Sequence, residues 1–303
     1  MGENSIAREK YIGNKDLESR DFGHNITMIM TFMRHEQPGK TPEGLSADFL
    51  TEEGELSATK RGGERKIENL KIYSSPKFRA QRTVNLVAEN VDETINVINK
   101  TFTETTNVNP KNEASKNKFI VREVKELDAI KNMGPLYLEG MRHADTLIAQ
   151  GDKHSQLDLA VQYVLDNPER SKELNSLTPE EIASEMAHRI TYETQMSNKF
   201  YNNSKVELLH GTHGPRFEPF LQQVIVNDDG THGFKHLDEI GGAAKPGEGF
   251  SIIQKRSTKD EINNDNYSLE LTYKNKTYQV DLIRLKELAV LYKKEVKNKI
   301  FNK

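Results

Sequence analysis

Apolar and polar positions along the chain set out three segments of the same design. Residues 26–33, Ile26-Thr27-Met28-Ile29-Met30-Thr31-Phe32-Met33, place apolar side chains on both faces, as expected of a strand covered on each side. The run ends in Arg34-His35-Glu36-Gln37, where a loop begins. A second run, with Leu70, Ile72 and Tyr73, breaks at Ser74-Ser75-Pro76 into a helical pattern that turns Val84, Leu86, Val87 and Val91 inward. A third, Val206-Glu207-Leu208-Leu209, leads through His210-Gly211-Thr212-His213-Gly214 to an amphipathic helix marked by Phe217, Phe220, Leu221 and Val224. If the three strands are parallel neighbours, their polar tips share one edge of a sheet, where catalytic groups of open α/β sheets gather.

Between these runs, Thr51 reads as the cap of a helix with Glu52 and Glu53 in its first turn, and Gly62-Gly63 weakens that helix near its middle or end. Lys77 and Arg82, on the helix after the second strand, read as solvated charges. Residues 93–98 suit a strand, and residues 119–124 alternate after a polar loop at 103–117. From about 135 to 200 the pattern is helical. Its last helix starts on Thr178 as N-cap, with Pro179 at the first position and Glu181 at the third. This stretch reads either as a helical cover that shapes substrate access or as a solvated outer layer. Residues 267–273 and 277–282 alternate on either side of Lys274-Asn275-Lys276 and predict a hairpin. The terminal helix sets Leu285, Leu288, Tyr292 and Val296 on one face; its lysines alternate with glutamates, so a packed helix is expected and not a membrane-surface one. The expected architecture is an α/β three-layer sandwich with a mostly parallel central sheet, helices on both faces and a helical cover insertion. Residues 1–22 are expected to be a polar tail or a short leading helix and 23–303 one domain, with the insertion at about 135–200 and a C-terminal hairpin plus helix.

Composition narrows the classes. A chain of 303 residues can bury a full core, and a net charge of −3 gives no case for nucleic acid. Cysteine is absent, which excludes disulfides, thiol catalysis and cysteine-bound zinc. The first 22 residues are charged, without the apolar core of a signal peptide, and no window reaches a membrane span, so a cytoplasmic address with no membrane partner is expected. Met1-Gly2 opens like a myristoylation site, but Ile6 stands where Ser or Thr belongs.

An Arg-His pair alone reads as polar residues closing a strand. The other two tips change that reading. Arg34-His35, then Leu50-Thr51-Glu52-Glu53-Gly54, then Ser74-Ser75-Pro76 with Arg79-Ala80 and Thr83, then Thr212-His213-Gly214 follow one another in the order seen in the histidine phosphatase superfamily, which the chain resembles over about residues 26–90 and 204–222. The superfamily includes the cofactor-independent phosphoglycerate mutases. The resemblance implies a metal-independent phosphatase that hydrolyses a phosphate monoester through a phosphohistidine intermediate, with a small phosphorylated substrate and no cofactor. His35 is then the nucleophile, its second ring nitrogen held protonated by an acceptor, expected to be a backbone carbonyl near the loop. Arg34 and Arg79 present planar forks to the phosphate oxygens, and protonated His213 donates to the same oxygens. The proton-donating acid follows the strand near 119–124: Glu126 by position, with Glu123 as the alternative.

One residue departs from the family pattern. Glu36 stands where glycine usually follows the histidine, and a carboxylate beside a phosphate pocket repels substrate unless it turns away or pairs with a cation. Three other readings follow. Phosphoglycerate mutase-type transfer is one, although tryptophan-bearing mutase motifs are absent. A catalytically weak binder of phospho-ligands is another. A metal hydrolase on His210, His213, His232 and His236 is the third, disfavoured because residues three apart on a strand face opposite sides. His24, His143, His154 and His188 suggest no partners, and Gly241-Gly242 and Gly247-Glu248-Gly249 read as turns.

Overall fold

β1 (Ile26–Arg34) lies in the interior of the sheet because it has two buried sides to satisfy. Ile26, Met28, Met30 and Phe32 point into one apolar layer, and Met33 into another. The computed structural model describes residues 22–41, 46–97, 122–124, 127, 130–256 and 267–301. After β1 come a small separate hairpin, β2 (Pro38–Lys40) and β3 (Ser46–Leu50), then α1 (Glu52–Gly63), β4 (Asn69–Ser74) and α2 (Phe78–Glu89). Two short strands follow, β5 (Asn96–Val97) and β6 (Arg122–Glu123). The helices α3 (Ile130–Ala149), α4 (Gln156–Asp166), α5 (Pro168–Glu173) and α6 (Pro179–Met196) precede β7 (Lys205–Thr212), α7 (Phe217–Val224) and β8 (Ile225–Val226). The described chain ends with β9 (Gly249–Arg256), β10 (Leu269–Tyr273), β11 (Lys276–Val280) and α8 (Leu282–Leu291), which continues through a π-turn, Tyr292–Val296, into a last helical turn, Lys297–Phe301.

The main sheet has nine strands among the described residues, in the order β5-β4-β7-β1-β9-β10-β11-β8, with β6 also paired to β4. Pairing directions make seven of the nine run the same way, with β9 and β11 reversed. The sheet is therefore mostly parallel in direction, and helices lie on both faces. On one face α4, α6, α7 and α8 contribute Val161, Met186, Ile190, Phe217, Phe220 and Leu288; on the other, α1 and α2 contribute Ala58, Val84 and Val87. Each fully buried Leu, Val or Phe side chain is worth roughly 1.5–3 kcal/mol, enough to decide which way the strands face.

Several local signals act as sequence chemistry requires. Thr51 Oγ1 accepts the Gly54 N–H at the start of α1, and Thr178 and Glu181 form the reciprocal capping box of α6. Lys274 and Asn275, at φ of 46° and 66°, make the two-residue turn between β10 and β11. The strand stops at Val280, two residues short of the apolar run, because the Asp281 carboxylate accepts the Arg284 N–H and starts α8 there. Arg82 is not a solvated charge: it pairs with Glu55 at 2.8 Å and ties α2 to α1. In the stretch read as a helical cover, α6 is a layer of the sandwich against the sheet, and α3 packs on α4, whose Val161 and Leu165 join the same apolar layer. Among the described residues, no helix is long and apolar enough to cross a membrane.

Register places the site. In the central trio β4-β7-β1, Arg34 lies opposite Thr212 and Ser74 opposite Gly211. The ladder runs one residue past the strands, as the His35 N–H donates to Thr212 O at 2.8 Å and the Ser75 N–H to Gly211 O at 2.9 Å. His35, Ser75 and His213 thus leave the sheet at one level. Gly211 allows α2 to close on β7: a Cβ there would fall 2.7 Å from both Ala80 O and Val84 Cγ1. That close approach carries Arg79 to the same level.

Candidate active site

His35 is almost fully buried, and its Nδ1 lies 2.7 Å from the carbonyl of Glu36. A carbonyl only accepts, so Nδ1 carries the proton and Nε2 keeps its lone pair. Burial, together with the charges of Arg79 and Arg34 and against the pull of the Glu36 carbonyl, lowers the His35 pKa to about 3. The ring of His213 meets that of His35 edge-on, with centroids 5.2 Å apart. His213 Nε2 and Ser75 Oγ share a hydrogen bond of 2.9 Å, and Ser75 Oγ also accepts the Lys77 N–H at 3.3 Å. Burial holds the His213 pKa well below its ordinary value, with His35, Arg79, Lys77 and Arg34 adding to the effect. Burial thus keeps both imidazoles neutral, and the nearby cations act in the same direction.

The two arginines are anchored rather than loose. Arg34 Nη1 donates to Ala244 O at 2.8 Å, and its guanidinium lies against Gly214, where a Cβ would fall 2.9 to 3.0 Å from it. Burial lowers the Arg34 pKa, opposed by Tyr137, Glu218 and Glu248. Arg79, in the first turn of α2, donates from Nη1 to Ala47 O at 3.1 Å, and its backbone N–H faces Asp48 Oδ1 at 3.4 Å. The structure therefore brings Arg34, His35, Arg79 and His213 together from β1, α2 and the tip of β7. These are four of the residues on which the sequence resembles the histidine phosphatase superfamily.

No family profile and no curated protein matches the sequence. Among solved structures, a mycobacterial glucosyl-3-phosphoglycerate phosphatase aligns over 82% of this chain and 98% of its own, with 12% identity and a TM-score of 0.44. The phytase of Klebsiella sp. ASR1 aligns over 92% and 98%, with 10% identity and a TM-score of 0.39. The putative phosphohistidine phosphatase SixA of Agrobacterium tumefaciens aligns over 82% and 96%, with 12% identity and a TM-score of 0.28.

Glu36 turns away from the pocket. Its carboxylate accepts from Arg61 Nε at 2.6 Å and Ser57 Oγ at 3.0 Å, both on α1, and its side chain is only 4% exposed. Glu126 lies outside the described residues. Glu123 sits on β6 opposite Ser74, exposed, its carboxylate accepting from Gln81 Nε2 at 2.8 Å. On either side of position 126, the Val124 N–H donates to Ser74 O at 2.8 Å and Leu127 O accepts from Thr212 Oγ1 at 2.8 Å.

The four histidines of the metal reading are scattered. His210 is buried between the rings of Phe32 and Tyr73, at 4.3 and 5.0 Å, with Nε2 2.7 Å from Glu193 and Nδ1 3.2 Å from Thr31 O. His232 pairs with Asp281, and His236 caps the 3-10 turn Leu237–Ile240. Among the described residues, no three His, Asp or Glu side chains form a group that could hold a metal ion. Sequence reasoning placed Ser75 and Thr83 in the motif without giving them a role, and did not single out Arg61 or Glu218. Glu218, at the start of α7, is fully enclosed; burial raises its pKa to about 7 against the Ala244 N–H and the charges of Arg34 and Lys274. His154 also has partners, bridging Asp152 at 2.7 Å and Asp238 at 3.1 Å.

Proposed function

We propose that the chain is a phosphatase that hydrolyses a phosphate monoester through a phosphohistidine on His35. The observation that carries this reading is the fixed tautomer. The Glu36 carbonyl accepts a hydrogen bond from Nδ1–H, so Nε2 is the unprotonated nitrogen of a ring kept neutral far below neutral pH. Nε2 attacks phosphorus, the P–O bond to the alcohol breaks, and the leaving oxygen takes a proton from a carboxylic acid. Water then gives a proton back to that carboxylate and attacks phosphorus, and the P–N bond breaks to release inorganic phosphate. Arg34 and Arg79 are the clamp for the equatorial oxygens. His213 is neutral in the empty pocket, and an arriving dianion favours its protonation, so that it donates to the same oxygens as charge moves in the transfer.

The acid is proposed to come from the segment following β6, with Glu126 in the role. The hydrogen bonds of Val124 to Ser74 and of Leu127 to Thr212 support it, because they tie this segment to two of the strand tips. The scheme uses no metal. The reading as a catalytically weak binder arose from Glu36, and the pairing of that carboxylate with Arg61 weakens it. The test is hydrolysis of 4-nitrophenyl phosphate, followed by sugar phosphates, nucleotides and phosphoglycerates, with and without EDTA. His35→Ala is expected to abolish turnover and the acid-labile phosphoenzyme seen after rapid quench, and substantial turnover in that variant would end the proposal.

A further inference from the structure

Glu36 is held from every side. Its N–H donates to Thr83 Oγ1 at 3.1 Å, and Thr83 Oγ1 in turn donates to Arg79 O at 2.9 Å. Its carbonyl accepts from His35 Nδ1, and its carboxylate accepts from Ser57 and Arg61. The opposite wall is Gly247, at a φ of +75°, where a Cβ would fall 2.4 to 2.5 Å from the two carboxylate oxygens. The Gly247 N–H also points at Arg34 O and His35 O, at 3.2 and 3.3 Å. A glycine at position 36 would keep the N–H bond to Thr83 but have none of the side-chain anchors, and the carbonyl that sets the His35 tautomer would be less restrained.

We infer that Glu36 is a positioning residue for His35, with Arg61 as its charge partner: the α1 clamp on the Glu36 side chain holds the carbonyl that keeps the Nδ1 proton in place. The inference deepens the reading of His35 as the nucleophile and rests on it for its catalytic meaning. It also sets a sign. Arg61 neutralises a carboxylate buried one residue from the phosphate pocket, so removing Arg61 alone leaves that charge to repel phosphate, whereas removing both partners does not.

The experiment compares the wild type with Glu36→Gln, Glu36→Gly, Arg61→Met and the Glu36→Gln/Arg61→Met double variant. Three quantities are read: the competitive inhibition constant of inorganic phosphate, the single-turnover rate of phosphohistidine formation from 4-nitrophenyl phosphate, and the imidazole 15N shifts of His35. Arg61→Met is expected to weaken phosphate binding at least tenfold, and the double variant to recover most of that loss. Glu36→Gly is expected to slow phosphohistidine formation about tenfold with phosphate binding changed less than threefold. Its His35 resonances should move from the Nδ1–H tautomer toward a mixture, with Glu36→Gln between it and the wild type. Arg61→Met binding phosphate as tightly as the wild type, or no worse than the double variant, overturns the charge pairing. An unchanged tautomer in both Glu36 variants overturns the positioning role. If the wild type forms no phosphohistidine, the proposed reaction fails, and the 15N shifts and the binding of inorganic phosphate followed by calorimetry still decide the inference separately.

Discussion

The suppressed basicity of His35 has a measurable effect on stability. In the unfolded chain the ring takes up a proton near pH 6.5; in the folded protein it does so only near pH 3. Between these values the unfolded state binds a proton that the native state refuses, so stability is greatest above pH 6.5 and falls as the pH drops through the window. At about 1.36 kcal/mol per pKa unit, His35 alone costs the protein on the order of 3 kcal/mol at pH 4.5 and about 4 kcal/mol at pH 3. The perturbation is His35→Asn, whose neutral amide can still donate to the Glu36 carbonyl. Urea unfolding of both proteins is followed in phosphate-free buffer at pH 7.5 and pH 4.5. Whatever the variant costs at neutral pH cancels in the comparison. The wild type is expected to lose about 3 kcal/mol more than the variant on acidification, roughly a hundredfold in the folding equilibrium. Equal losses in the two proteins would refute the claim that a neutral, buried imidazole occupies this position.

Arg79→Lys retains the charge and discards the planar fork; losing a charge-assisted hydrogen bond of about 1.5–3 kcal/mol should reduce kcat/KM for 4-nitrophenyl phosphate roughly 10- to 100-fold, and a change under threefold would remove Arg79 from the clamp. Gly214→Ala sets a methyl group against the Arg34 guanidinium, a side-chain end that can swing aside. The protein should fold, with inorganic phosphate inhibiting about tenfold more weakly, and unaltered inhibition would place Arg34 away from the anion. Glu193→Gln deprives His210 and Arg189 of a fully buried carboxylate. Burial acts to raise its pKa, and these two neighbours overcome that and hold it low. Leaving them unmatched should cost about 3–5 kcal/mol in urea unfolding, and a loss below about 1 kcal/mol would show that the buried network contributes little.

What could be read from sequence was local. The three strand tips could be foreseen because each apolar run, its polar break and its helix are contiguous, and Thr178 and Glu181 announce their capping box within four residues. β9 was not anticipated. Its inward positions are Phe250, Ile252, Gln254 and Arg256, and two polar residues break the apolar alternation. Arg256 is accommodated there by bonds to Ser197, Asn198 and the carbonyl of Gly23, partners far away along the chain. The same separation hid the clamp on Glu36, supplied by Ser57 and Arg61 from a helix whose own pattern shows only a polar face. His210 looked like a spare ligand because nothing near it in sequence points to Glu193 on α6.

The position of β7 has a consequence for biosynthesis. β1 and β4 do not pair with each other; each pairs instead with a strand that leaves the ribosome more than a hundred residues after β4. Until that strand is delivered, the nascent chain carries two apolar strands with open edges, which makes it a candidate for chaperone capture during synthesis. A chain stopped before residue 205 would hold Arg34, His35 and Arg79 and still lack the element that draws them into one place.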